Sequence, residues 1–305
     1  MRELFGGQNE LYVIAFSLGV GFLVRFLMLR VDYRQYPSYP AGYATHLALG
    51  FVASSLGAVA FPALLARDYV AVTFLALAAQ HFREVRDMER KSLKGMDKDE
   101  LVPRGEPYIE GISRLFEARN YHAMITALIT ALAYHYLNLL AGIFLGLLVA
   151  GVFYRMMLTL TIDDIARVRV TEIKYLGPGG KNLAIEDEVL MNVGEEEALE
   201  IWKKRGMGFI LEPRDDRGRA TLAPMGQRQA ILHEVSSQLG VVYDYGYQHF
   251  TPLARLDIFT GRVYIIILPI EPDPKCMVQA IGSVPVLEGS AREPEKSEAG
   301  KRAAD

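Results

Sequence analysis

The sequence predicts an α-helical membrane bundle of about five spans followed by a soluble α+β domain. Three observations predict it: five apolar stretches fill the first 162 residues, the rest alternates strand-like and helix-like patterns, and basic residues concentrate in alternate loops. Of the 305 residues, mean hydropathy is only mildly positive because two unlike halves are averaged. Through Ile162 there are 15 Lys+Arg and 13 Asp+Glu, leaving 18 and 23 for the remainder. An acidic soluble half argues against nucleic acid as a partner. Cys276 is the single cysteine, which rules out an intrachain disulfide and a cysteine-based metal cluster.

A helix needs about 20 mostly apolar residues to cross a bilayer. Leu11–Leu29 satisfies this with one charge, Arg25, close enough to the end to snorkel. No small-residue cleavage site follows it, so it is expected to remain as a span. Thr45–Leu65 is a second span, Tyr69–Phe82 a short third, and Tyr121–Leu137 and Leu139–Thr161 a fourth and fifth divided near Asn138. With five spans, one side receives Arg30, Arg34, the nine Lys/Arg from Arg83 to Arg119, and Arg167, Arg169 and Lys174. The other receives Arg2 and Arg67. Positive loops stay in the cytoplasm, so the expected cell-membrane topology has the N-terminus outside and the soluble domain inside.

Within the spans, Gly50, Ser54 and Ala58 recur at every fourth position, as do Gly142, Gly146 and Ala150. Small residues at this spacing let helix backbones approach closely in lipid. They serve packing within one chain or self-association between chains. His46, His81, His122 and His135 lie in or near span edges, where an imidazole reaches water. No carboxylate lies deep in a span beside them, and no internal repeat of the kind that marks transporters is visible.

Between the third and fourth spans, a charge-dense helix is expected to end near Gly95. A polar link over Met96–Glu106 follows, and a new helix starts at Pro107, where a missing N–H costs nothing. Ile109, Ile112 and Phe116 then share one face, and Glu110, Arg114 and Glu117 another. Glu110 and Arg114 have the supportive i, i+4 spacing. Such an amphipathic lead-in suits the headgroup region. Gly111 inside it costs about 1 kcal/mol relative to alanine, which suggests close approach of another backbone; a plain juxtamembrane helix with solvated charges is the competing expectation.

Tyr108–Ser113 reads YIEGIS. It resembles the signature of the YIEGIA family, membrane proteins of endospore-forming bacteria, departing only in Ser113 for alanine. Length, spans and soluble tail are similar, so the resemblance covers most of the chain. It implies an association with sporulation and the spore envelope. It implies no catalytic residues.

In the soluble half, Ile165–Leu176 and Leu183–Val193 read as strands around a Gly177–Gly180 turn. Glu195–Arg205 is a helix with acids first and bases last, matching its dipole. Met207–Glu212 is strand-like, Asp215–Gly218 a turn, Gln227–Leu239 a helix and Gly240–Tyr245 a strand. Arg255–Phe259 and Arg262–Pro269 flank a two-residue turn at Thr260-Gly261. After Leu287 the composition predicts disorder through residues 289–305.

Gly177–Asn182 lacks the spacing of a phosphate-binding loop. His233-Glu234 starts like a zinc-protease helix, but Ser237 stands where a second histidine is required, so a helix-surface pair is expected. Tyr243, Tyr245 and Tyr247 with His249 and Phe250 form the densest aromatic patch, a partner surface or a half-buried strand edge.

No catalytic residue, cofactor or metal ligand is therefore expected. The leading expectation is a membrane-anchored scaffold that meets the bilayer and an unidentified protein. The alternatives are a small transporter or channel, and a membrane-anchored enzyme or ligand sensor.

Overall fold

The computed structural model describes residues 7–32, 40–156, 160–243 and 247–303. Arg2, Arg34, Tyr245 and the 157–159 part of the fifth expected span lie outside them. The chain divides into a helical unit (residues 1–91 and 112–158) and a second unit (residues 92–111 and 159–305).

Five long helices order the first half: α1 (Gly7–Asp32), α2 (Pro40–Leu65), α3 (Tyr69–Asp97), α4 (Glu106–Tyr136) and α5 (Leu139–Met156). Three of them are long and apolar enough to cross a membrane, at Leu11–Leu29, Gly42–Leu65 and Leu139–Met156. The apolar parts of α3 and α4 are shorter. At 1.5 Å per residue, Tyr69–Phe82 rises about 21 Å and Tyr121–Leu137 about 26 Å, against a hydrocarbon core of about 30 Å.

The turns are set by capping side chains. Arg67 takes a left-handed φ of 56° after α2. Asp68 then accepts from the Ala71 N–H at 3.0 Å to start α3. Asn138 does the same for α5, accepting from the Ala141 N–H at 2.8 Å.

Both small-residue stripes are buried and pack inside this chain. Gly50 lies against the Arg25 side chain of α1, and Ser54 returns its hydroxyl to the Gly50 carbonyl at 2.8 Å. Ala58 is fully buried on the same face of α2. A Cβ at Gly142 would stand 3.1 Å from the Thr130 carbonyl of α4, and one at Gly146 would strike the Thr130 side chain. Ala150 packs with Val24 and Met28 of α1.

The second unit contains α6 (Ile162–Ile165), β1 (Ala166–Thr171), β2 (Lys174–Leu176), β3 (Asn182–Ile185), β4 (Glu188–Asn192), α7 (Glu196–Arg205), β5 (Met207–Pro213), α8 (Asp216–Leu222), α9 (Met225–Leu239), β6 (Leu253–Leu256), β7 (Val263–Ile267), α10 (Pro274–Gly282) and α11 (Glu298–Ala303). One antiparallel sheet has the order β1-β5-β7-β6, and a smaller one β2-β3-β4.

Alternation along β5 and β7 builds two cores. Phe209, Leu211, Val263, Ile265 and Ile267 point to a cluster with Ile231 and Val235 of α9 and Met277 and Ile281 of α10. Ile210, Tyr264 and Ile266 point the other way, to Leu183, Ile185, Leu199 and Trp202. Every residue of β7 is buried, as expected for a strand covered on both faces.

Several details depart from the sequence reading. Leu183–Val193 is a hairpin rather than one strand, turning at Glu186, which adopts φ 54°. Asp215–Gly218 opens a short helix, with Asp215 capping the Gly218 N–H at 2.6 Å. The β6–β7 turn is longer than two residues, because Asp257 accepts from Phe259 and Thr260 and pairs with Arg262 through the backbone. Gly240–Tyr245 contributes only a bridge from Val241 to Pro269 among its described residues. The tail expected to be disordered carries a turn at Pro294–Lys296 and α11. Pro294 starts the turn, Ser297 accepts from the Gly300 N–H at 3.0 Å, and the Arg292 N–H donates to Thr221 at 3.2 Å.

Candidate functional site

Residues 92–111, which run from the charged end of α3 into the start of α4, fold as part of the second unit and lie along α9. Asp97 organises this strap. Its carboxylate accepts from the Arg104 N–H at 2.6 Å and the Gly105 N–H at 3.2 Å. Arg104 in turn donates to Glu100 at 3.1 Å. Gly105 takes a φ of +84°, a left-handed value that favours glycine, and its carbonyl receives the Tyr108 and Ile109 N–H groups to open α4. Lys94 and Glu106 close the loop as an ion pair.

Four residues of α9 hold the strap. Gln229 donates to the Pro103 carbonyl at 2.6 Å. Gly226 leaves room for the Pro107 ring, which a Cβ would strike. The His233 Nδ1 lies 2.6 Å from the Val102 carbonyl, so Nδ1 carries the proton and donates. Burial is the main cause holding the His233 pKa below its ordinary value, and Arg104 adds to the lowering. Its Nε2 is then an acceptor for the Ser237 hydroxyl at 3.4 Å. Finally, the Tyr108 hydroxyl donates to Oε1 of Glu234, whose Oε2 receives Gln238 at 3.5 Å. The Tyr108 ring meets the His233 ring edge-on at 6.2 Å between centroids. Val102 joins the core beneath.

His233 and Glu234 are thus buried, at 3% and 8% exposure, and not a helix-surface pair. Their polarity misled the sequence reading, because partners more than a hundred residues away supply their hydrogen bonds. A faint signal was present: on α9, Gln229, His233 and Glu234 recur near helical spacing among Ile231 and Val235, giving a polar row beside an apolar one.

The remaining signature residues fall differently. Ile109 and Ile112 are buried with Tyr108, Glu110 is half-buried and Arg114 is exposed. Glu117 accepts from Arg86 of α3 at 3.1 Å. Gly111 meets no other backbone among the described residues: outside its own helix backbone, none of their atoms lies within 4 Å of where its Cβ would be, and nothing among them explains the glycine. The aromatic patch contains a stacked Tyr247–Phe250 pair, and the His249 carbonyl accepts from Nε1 of Trp202 at 2.7 Å. No cluster of potential metal ligands occurs among the described residues.

Known proteins place these observations in a family. The model of the YIEGIA protein family matches residues 13–297. The uncharacterised protein YphB of Bacillus subtilis (strain 168) is 43% identical over 287 residues, covering 94% of this chain and 96% of its own. No solved structure matches. With the YIEGIS segment at the start of α4 and the family match running through both units, the chain belongs to the YIEGIA family.

Proposed function

We propose that this protein is a non-enzymatic, membrane-anchored scaffold of the sporulation programme that helps to assemble the spore envelope. The observation that carries this reading is the use of the signature tyrosine. Tyr108 is buried. Its hydroxyl is given to the buried Glu234, so the motif holds a strap onto α9 instead of presenting a reactive group. The chain leaves the helical unit at Lys91, folds onto α9, and returns at Ile112. A soluble unit held at both its strap and its main segment is suited to transmitting the binding of a partner to the spans.

In this reading α3 and α4 complete five spans, with Arg83–Val85 snorkelling to extend the short apolar part of α3. The concentration of basic residues in alternate loops supports a topology with the N-terminus outside and the α+β unit in the cytoplasm. The resemblance to proteins of endospore formers, including a B. subtilis relative, supports the sporulation role.

The test is genetic and biochemical. Deleting the gene in a spore-forming host is expected to lower the yield of heat-resistant spores and to alter the envelope in electron micrographs. Gentle solubilisation and affinity purification during sporulation should recover a partner that the Tyr108→Phe, Glu234→Leu double variant loses. Normal spores with intact envelopes from the deletion strain would sink the proposal.

A further inference from the structure

Two side chains of the second unit stand in water against their chemistry. Phe259 is 88% exposed and Ile258 77%, the highest values for large apolar side chains of that unit among the described residues. Both sit at the tip of the turn that joins β6 to β7.

The turn is built rather than loose. Asp257 accepts from the Phe259 N–H at 2.9 Å and from the Thr260 hydroxyl, and its own N–H donates to the Arg262 carbonyl at 2.9 Å. The Gly261 N–H donates to the Asp257 carbonyl at 2.8 Å, and the Arg262 N–H to the Thr260 hydroxyl oxygen at 3.3 Å. Gly261 takes a left-handed φ of +75°, and the Arg219 stem of α8 fills the space where its Cβ would stand. Because the backbone is fixed beforehand, little ordering entropy is lost when the apolar pair meets a surface.

Size and chemistry select that surface. A stable protein interface buries about 1,600 Å², whereas one aromatic side chain buries about 150–250 Å², so two side chains on a narrow turn fall far short. Neither carries a polar group to pair with a partner's. The adjoining cations are already engaged, Arg219 with Asp216 at 2.9 Å and Arg262 with Glu186 at 3.4 Å and Glu212 at 3.8 Å. The turn therefore offers apolar contact, which acyl chains accept without specific partner groups. A small area suffices there, because a chain tethered by its own spans meets the bilayer at high effective concentration.

We propose that Ile258 and Phe259 insert into the bilayer, docking the α+β unit on the lipid surface through the β6–β7 turn. This rests on the membrane-anchored reading above.

The test reconstitutes the full-length chain in phosphatidylcholine nanodiscs with or without bromine on the acyl chains, which quenches nearby tryptophan. Trp202 is the single tryptophan and is fully buried, so the wild type supplies the baseline. Phe259→Trp adds a second emitter at an exposed position. Its added emission is expected to be blue-shifted and to fall by about half or more in brominated discs, as suits the headgroup–acyl boundary. Combining it with Ile258→Asp is expected to remove most of that quenching. Added emission that is solvent-like and unquenched would overturn the proposal. A blue shift without quenching would do the same, since protein rather than lipid then covers the tip, and so would quenching that Ile258→Asp leaves unchanged. A chain that never enters the discs refutes the membrane reading, and this proposal with it; entry with an unquenched tip refutes the proposal alone.

Discussion

The Tyr108 hydroxyl donates a hydrogen bond to Oε1 of Glu234, joining the first residue of the signature hexapeptide to the middle of α9. Because Glu234 is buried, the bond is hard to replace with water. Removing the donor leaves a carboxylate under-satisfied in a region of low dielectric, which costs more than the bond contributes when made.

Tyr108→Phe should therefore destabilise the second unit by about 1–3 kcal/mol. Glu234→Gln should cost less, since an amide oxygen still accepts from Tyr108. Denaturant titration of the full-length chain in nanodiscs measures both. Hydrogen exchange should locate the loss in residues 92–111 and α9. Exchange unchanged in the strap would contradict its role.

Acid should loosen the same contact. The native state holds His233 neutral because burial lowers its pKa below the ordinary value of 6.5. Between the lowered pKa and 6.5, the unfolded chain binds more protons than the native one, so stability rises with pH there. The contribution is complete above 6.5 and is lost as pH falls through the native value. Melting of the second unit should fall below pH 6.5 in the wild type and less steeply in His233→Gln. Parallel pH profiles for the two chains would contradict this.

Two helical glycines should respond in opposite directions to alanine. At Gly57 a Cβ would strike the Met124 carbonyl of α4, backbone that yields only if the helices move apart. Gly57→Ala should lower the melting temperature. At Gly111 no atom of the described residues outside the helix's own backbone lies within 4 Å of an added Cβ, so Gly111→Ala should gain up to about 1 kcal/mol of helix propensity. Differential scanning calorimetry of the two variants decides the matter.

Glu186 occupies the left-handed region at φ 54° while accepting from Arg169 at 3.1 Å and Tyr264 at 3.1 Å. The backbone cost is about 1–2 kcal/mol, and half-exposed ion pairs return about 0–1 kcal/mol. Glu186→Gly should thus fall within about 1 kcal/mol of wild type, with strain relief offsetting the lost pairs. Glu186→Val keeps the strain and loses the pairs, so it should be the less stable of the two. Equilibrium unfolding compares them.

Much of the architecture follows from local pattern. Long apolar runs predict α1, α2 and α5; the breaker-free stretch from Pro107 predicts α4; and period-two alternation predicts β1 and β5. These features depend on side chains a few residues apart, which a sequence displays directly. The small-residue stripes at Gly50 and Gly142 were legible for the same reason, but whether they serve one chain or two was not. That choice depends on which helices become neighbours.

The sequence by itself determined the division into an apolar helical half and an α+β half, and the family signature at Tyr108–Ser113. Only the tertiary structure decided that residues 92–111 belong with the second unit, that His233 and Glu234 are buried, and that Arg25 meets His46 and Phe116. The physical reason is the same in each case. Polar side chains look solvent-facing until a distant segment supplies their hydrogen-bond partners, and burial belongs to the folded chain as a whole rather than to any window of it.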